Sequence, residues 1–225
     1  MKKYCYTIIT ILFFGLLSCS NEETKTQNQI AARPTVPIQN NEVRIGNQVW
    51  MTKNLNVSRY RNGDLIPQVT NPTQWANLTT GAWCYFENNT ANGTVYGKLY
   101  NWYAVNDTRK LAPIGYHIPT DAEWTTLTTF LGGEDIAGGK MKSTTGWIAP
   151  NTGATNISGF TGFPGGDRTS GGVFYDEIGY AGIWWSSTED GEPYALVRDL
   201  GFDDVTVGNS YADKGDGYSV RCIKN

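Results

Sequence analysis

The chain has 225 residues and a formal net charge of −3, with 17% charged side chains, 8 Trp and 13 Tyr. That length and aromatic content can fill one sizeable core or two small ones, and they exclude an intrinsically disordered protein. No basic block or basic helix is present, which argues against nucleic-acid binding by phosphate neutralisation.

The first residues, "MKKYCYTIITILFFGLLSCSNEE", place Lys2 and Lys3 ahead of the apolar run Ile8 to Leu17. The run is too short to span a bilayer, which takes about 20 residues, and it has the length and flanks of a signal-peptide core. "LLSC" ends on Cys19 and resembles the lipobox of bacterial lipoproteins, in which cleavage precedes a diacylated Cys. An ordinary signal peptide with a chance Cys is the alternative. With residues 1–18 removed, 16 basic and 21 acidic side chains remain. The "SNEE" after Cys19 resembles the surface-export signal of Bacteroidetes-type lipoproteins. The expectation is a protein of the bacterial outer membrane, anchored through lipid on Cys19 and displayed at the cell surface, with the periplasmic leaflet as the alternative.

Residues 19–41 are rich in Asn, Gln, Thr and Glu and hold no aromatic side chain, so they read as a flexible tether. Residues 42–225 read as one domain, because aromatics recur throughout and no second linker interrupts them. Val43, Ile45, Gly46-Asn47 and Val49 predict a hairpin turning at Gly46-Asn47. "GAWCYFENN" and "GKLYNWYAV" fit short strands, or a strand and a buried helical turn. "HIPTDAEWTTLTTFLGG" is the clearest helix. Thr120 and Glu123 form a capping box, Asp121 and Glu123 complement the helix dipole, and Trp124, Leu127 and Leu131 share a face. Gly132-Gly133 ends it. "EDIAGGKMKS" reads as a weaker helix, interrupted by Gly138 and Gly139. "YALVRDLGF" and "GYSVRCIKN" alternate as half-buried strands do. Strands, then helices, then strands predict an α+β fold with an antiparallel sheet.

"YGKLYNWYAV", "GYHIPTDAEWTTL", "SGFTGFPGGDR", "GIWWSSTE" and "GYSVRCIKN", in that order, resemble the Fibrobacter succinogenes major paralogous domain of Bacteroidetes and Fibrobacter lipoproteins. The resemblance runs from about Ile45 to the C-terminus. Where that family often carries Cys-Pro before its "GWHVPT" element, this chain has Ala112-Pro113. More distantly the layout is similar to the C-type-lectin-like fold of formylglycine-generating enzymes, with a "PT-x-x-EW" helix, a Trp-rich strand and a final strand with an Arg. That likeness implies a binding scaffold with variable loops.

Few residues look like chemistry. Formylglycine chemistry needs a Cys pair near the C-terminus, and only Cys222 lies there. Cys84 and Cys222 could pair in an oxidising compartment, closing a loop of about 140 residues worth roughly 4–5 kcal/mol, or both could be small buried hydrophobes. The lone His117 reads as structural, bonding nearby backbone. Asp203, Asp204, Asp213 and Asp216 lie in polar, Gly-bearing segments and offer oxygens for calcium, with turn chemistry as the alternative. "FPGGDRTSGG" lacks the Lys-Ser/Thr of a phosphate loop. Neighbours in a strand point to opposite faces, so Trp184 and Trp185 are expected to be buried on different sides; an exposed sugar-stacking platform is the other reading. The expected function is a non-catalytic envelope module binding a glycan or a surface protein, with a divergent carboxylate enzyme or a structural envelope protein as alternatives.

Overall fold

The computed structural model describes residues 41–175 and 178–225. The signal peptide, Cys19 and all of the tether but its last residue lie outside the described residues. The domain is mixed α+β with antiparallel sheets.

The first sheet begins with the hairpin β1 (Glu42–Ile45) and β2 (Gln48–Met51), whose register pairs Ile45 with Gln48 across the expected turn. Gly46 adopts φ +59°, and a Cβ there would come 2.9 Å from the Phe130 ring, so glycine meets both a backbone and a packing demand. After α1 (Pro72–Ala76), β3 (Trp83–Cys84) runs into a 3-10 turn at Phe86–Asn88. Then come α2 (Thr90–Tyr96), β4 (Leu99–Tyr100), which pairs with β3, and α3 (Trp102–Val105). The second aromatic run is thus a strand followed by a helical turn. Asn101 makes that switch, its side-chain oxygen accepting from the Ala104 amide.

β5 (Tyr116–His117) leads into α4 (Asp121–Phe130). The capping box forms as expected, the Thr120 and Glu123 side chains each serving the other's backbone. Trp124 and Leu127 face the core, and Gly132 and Gly133 end the helix at φ +107° and +103°. Burial acts to raise the Glu123 carboxyl, but the Thr120 amide, then His117 and the Thr120 hydroxyl, outweigh it and hold the pKa below the usual range. α5 (Glu134–Met141) continues through Gly138 and Gly139 rather than breaking. The two glycines are there for contact: a Cβ on Gly138 would lie 2.0 Å from the Thr206 carbonyl oxygen, and one on Gly139 2.6 Å from that of Gly153.

β6 (Ala181–Glu189), β7 (Tyr194–Gly201) and β8 (Gly208–Asp213) form an antiparallel sheet in that order. β8 has no hydrophobic signature of its own. It is an edge strand whose Asn209, Ser210 and Tyr211 are exposed and whose one well-buried side chain is Ala212, so it carries no apolar alternation to read. Its register comes from β7, pairing Leu196 with Tyr211 and Arg198 with Asn209. "GYSVRCIKN" departs from the expected half-buried strand. Only β9 (Ile223–Lys224) is a ladder, inserted between β2 and β5, while Tyr218 and Ser219 make single bridges to Tyr100 and Trp184. Its polar position is not wet either, since Arg221 is fully buried.

Cores lie on both faces of β6. Trp184, 1% exposed, packs with Trp50, Trp124 and Phe160. Trp185, 0% exposed, packs with Trp83, Tyr100 and Trp102 in a second cluster. Each indole N–H is satisfied, by the Asn54 side-chain oxygen at 2.8 Å and the Tyr100 carbonyl at 2.7 Å. Both are core, and neither offers a face to a ligand.

The loops are held by buried cations on backbone carbonyls. Arg168 donates to the carbonyls of Gly172, Val69 and Thr70 and lies against the Trp75 and Phe174 rings. Lys142 donates to those of Gly201 and Asp204, and burial lowers its pKa. Arg221 reaches Met51, Phe160 and Thr161 and the Asn54 side chain. Arg198 differs, gripping Asp121 and Thr125 of α4 and Glu134 of α5 from β7. Irregular segments leave carbonyls that no ladder satisfies, and one guanidinium can serve several at once. Cys84 and Cys222 are free thiols, buried in different clusters, so in this structure they are the small hydrophobes of the two readings rather than a bridge. Burial pushes their pKa values up to about 11 and about 12.

Candidate functional site

The four aspartates do not form one site. Asp203 and Asp204 belong to the turn between β7 and β8, where Asp204 accepts from the Thr206 amide (2.9 Å) and hydroxyl (3.1 Å). Asp213 is the last residue of β8, a strand about 17 Å long at 3.4 Å per residue, and Asp216 lies just past it. There Asp213 accepts from the Gly215 amide, and Asp216 accepts from the Ser170 amide and the Tyr218 hydroxyl. Burial, with help from the Asp213 charge, raises the Asp216 carboxyl above the usual range. Among the described residues no group of three or more His, Cys, Asp or Glu is placed to hold a metal ion. The two pairs of aspartates sit at opposite ends of β8, and each takes part in local turn hydrogen bonding.

His117 is structural, although its partners are side chains rather than backbone. Nε2 meets Glu123 Oε1 at 2.8 Å, and Nδ1 meets the Asn225 side-chain oxygen at 2.8 Å. It therefore ties the start of α4 to the residue after β9.

That brace forms one wall of a cleft of about 290 Å³. Val105, Leu111, Ala112 and Ile118, all buried, supply its apolar lining. The loop after α3 makes a second wall. Asp107 accepts from the Arg109 amide and side chain, Arg109 stacks on Tyr60 at 4.1 Å, and Lys110 sits at φ +64°. The Arg109 hydrogen bonds hold the Asp107 carboxyl down at about 2, against the opposing effect of burial. The third wall carries Arg61, whose backbone amide donates to the Lys110 carbonyl at 2.8 Å. Its Nε and Nη2 are fixed on the carbonyls of Ala112, Pro113 and Tyr116 at 2.8–3.0 Å.

Several polar groups of the lining have no internal partner among the described residues: Arg61 Nη1, Lys110 Nζ, Ser187 Oγ and the Asn106 side chain. Among the described residues no Asp or Glu side chain lines the cleft. The arrangement can hold a small polar ligand against an apolar floor. Of these residues only His117 is weighed as a site candidate from sequence. Arg61 and Lys110 look like ordinary surface cations, and it is folding that brings positions 61, 110, 187 and 225 to one rim.

Fold and site together define a loop-rich α+β domain, built around three buried clusters that all hold aromatic side chains, with a donor-rich cleft. The chain belongs to the Fibrobacter succinogenes major domain family, whose model matches residues 43–224. No curated protein and no solved structure matches it.

Proposed function

We propose that the protein is a lipid-anchored module of the bacterial cell envelope that binds a glycan or a surface protein without catalysing a reaction on it. The cleft carries this reading. A rigid frame holds unpartnered donors over an apolar floor, which serves recognition. The divergent-enzyme alternative would draw support from two facing carboxylates or a perturbed pKa in the cleft, and among the described residues no Asp or Glu side chain lines it. The frame is read as C-type-lectin-like: a "PT-x-x-EW" helix, a double-Trp strand with a core on each side, and long loops pinned by buried cations. The anchor rests on Lys2, Lys3, the apolar run and "LLSC" ending at Cys19.

Two measurements test it. Cys19→Ser is expected to abolish acylation and move the protein from the membrane to the soluble fraction; continued detergent-phase partitioning would refute the anchor. A glycan-array screen, run beside co-purification from envelope fractions, is expected to return a ligand in one arm. Hydrolysis or modification of a bound ligand would refute the non-catalytic reading.

A further inference from the structure

We infer that the cleft is a subsite for an acidic sugar, with Arg61 and Lys110 meeting its anionic group and Ser187 and Asn106 its hydroxyls. The inference rests on the binding-module reading and deepens it.

The charge of the lining is the first reason. Arg61 and Lys110 form no ion pair with any described residue, in a chain whose formal net charge is −3. Elsewhere, cations close to this cleft are neutralised: Arg109 pairs with Asp107 and Asp64, and Lys224 pairs with Glu42.

The second reason is geometry. Arg61 is pre-set. Three carbonyls hold one edge of its guanidinium and leave Nη1 without a partner, so binding an anion would cost little further side-chain ordering. Lys110 is placed by the turn that Asp107 and Arg109 build, and its backbone carbonyl is bonded to Arg61. The third reason is the floor. Val105, Leu111 and Ile118 give an apolar surface suited to the C–H face of a pyranose ring. The volume of about 290 Å³ lies at the lower end of ligand pockets, the size of a single residue rather than a long chain. An inorganic anion would use the cations and leave the floor idle; a neutral sugar would use the floor and leave the cations idle.

The test is an NMR titration of the full chain with D-glucuronate, glucose 6-sulfate and D-glucose. At least one charged sugar is expected to bind about tenfold tighter than glucose, to shift the Lys110 and Ser187 amides, and to weaken as salt is added. The two charged probes separate a carboxylate from a sulfate preference. Lys110→Glu, at an exposed position, is expected to weaken the charged sugar about tenfold and leave the amide spectrum outside the cleft unchanged. Equal affinity for glucose and both charged sugars, or no effect of Lys110→Glu, would overturn the acidic-sugar inference while leaving the binding-module reading intact. A ligand found on the array or by co-purification that shifts no cleft residue would overturn the inference by placing recognition elsewhere. A blank in both of those screens would instead count against the module reading itself.

Discussion

Replacing Arg221 by Met sets two effects of similar size against each other. Burial pulls the pKa of Arg221 down to about 9, a sign that the charged form is held in an unfavourable medium. Apolar replacement of a buried ion often proves neutral or stabilising by about 1–4 kcal/mol. Here, however, the partners do not leave with the charge. The carbonyls of Phe160 and Thr161 lose their side-chain donor, and each orphaned buried acceptor costs about 1–3 kcal/mol. Asn54 Oδ1 keeps only its bond from Trp184, and the guanidinium stacked at 4.3 Å on Phe160 is lost, worth about 1 kcal/mol. The Met side chain recovers packing but donates nothing. Lost donors outweigh relieved desolvation, and the net loss is about 3 kcal/mol. For a domain of this size that is a fall of roughly 6–12 °C in Tm, read by circular dichroism or calorimetry. An Arg221→Met variant that melts at or above the wild-type temperature would refute the argument that carbonyl satisfaction is what holds these loops.

Two further outcomes follow from close contacts and charge. Gly138→Ala gains about 1 kcal/mol of helix propensity, yet it places a Cβ 2.0 Å from the Thr206 carbonyl oxygen, so urea denaturation is expected to show a net loss of about 1–2 kcal/mol; a gain would mean the contact relaxes freely. The Asp107 carboxyl, ordinarily at 3.8 and held at about 2 by Arg109, stabilises the folded state above about pH 4 and ceases to as pH falls through 2. Wild type is therefore expected to lose more stability than Asp107→Asn between pH 4 and pH 2, and parallel urea midpoints across that window would remove Asp107 from the account.

Local chemistry was readable and long-range chemistry was not. The Gly46-Asn47 hairpin and the Thr120–Glu123 capping box are decided within four residues, so the sequence shows them directly. The opposed faces of Trp184 and Trp185 follow from strand geometry alone. Gly138 misled because propensity is a local quantity, while the reason for that glycine is a carbonyl nearly 70 positions away. β8 was hidden for a similar cause: an edge strand borrows its register from its neighbour and has one core residue of its own. The cleft was the least legible feature. Its cations are recognisable as functional candidates only once it is known that no carboxylate meets them, and that depends on contacts between positions as far apart as 61 and 225.

The placement of β9 governs the order in which the molecule can assemble. Trp50 pairs with Ile223, and Ile223 pairs in turn with His117, so the first sheet stays open at its middle until nearly the whole chain is available. β6, β7 and β8, by contrast, close through neighbours in sequence and carry little loop-closure cost. Before β9 docks, β2 and β5 present unsatisfied ladder edges, the feature that makes long-range topologies slow and prone to mispairing. The same docking step delivers Asn225 to His117 and completes the rim of the cleft. The seam closed by the last strand and the rim of the cleft thus coincide, so a chain stalled short of its final strand lacks the finished cleft however native the rest of it becomes.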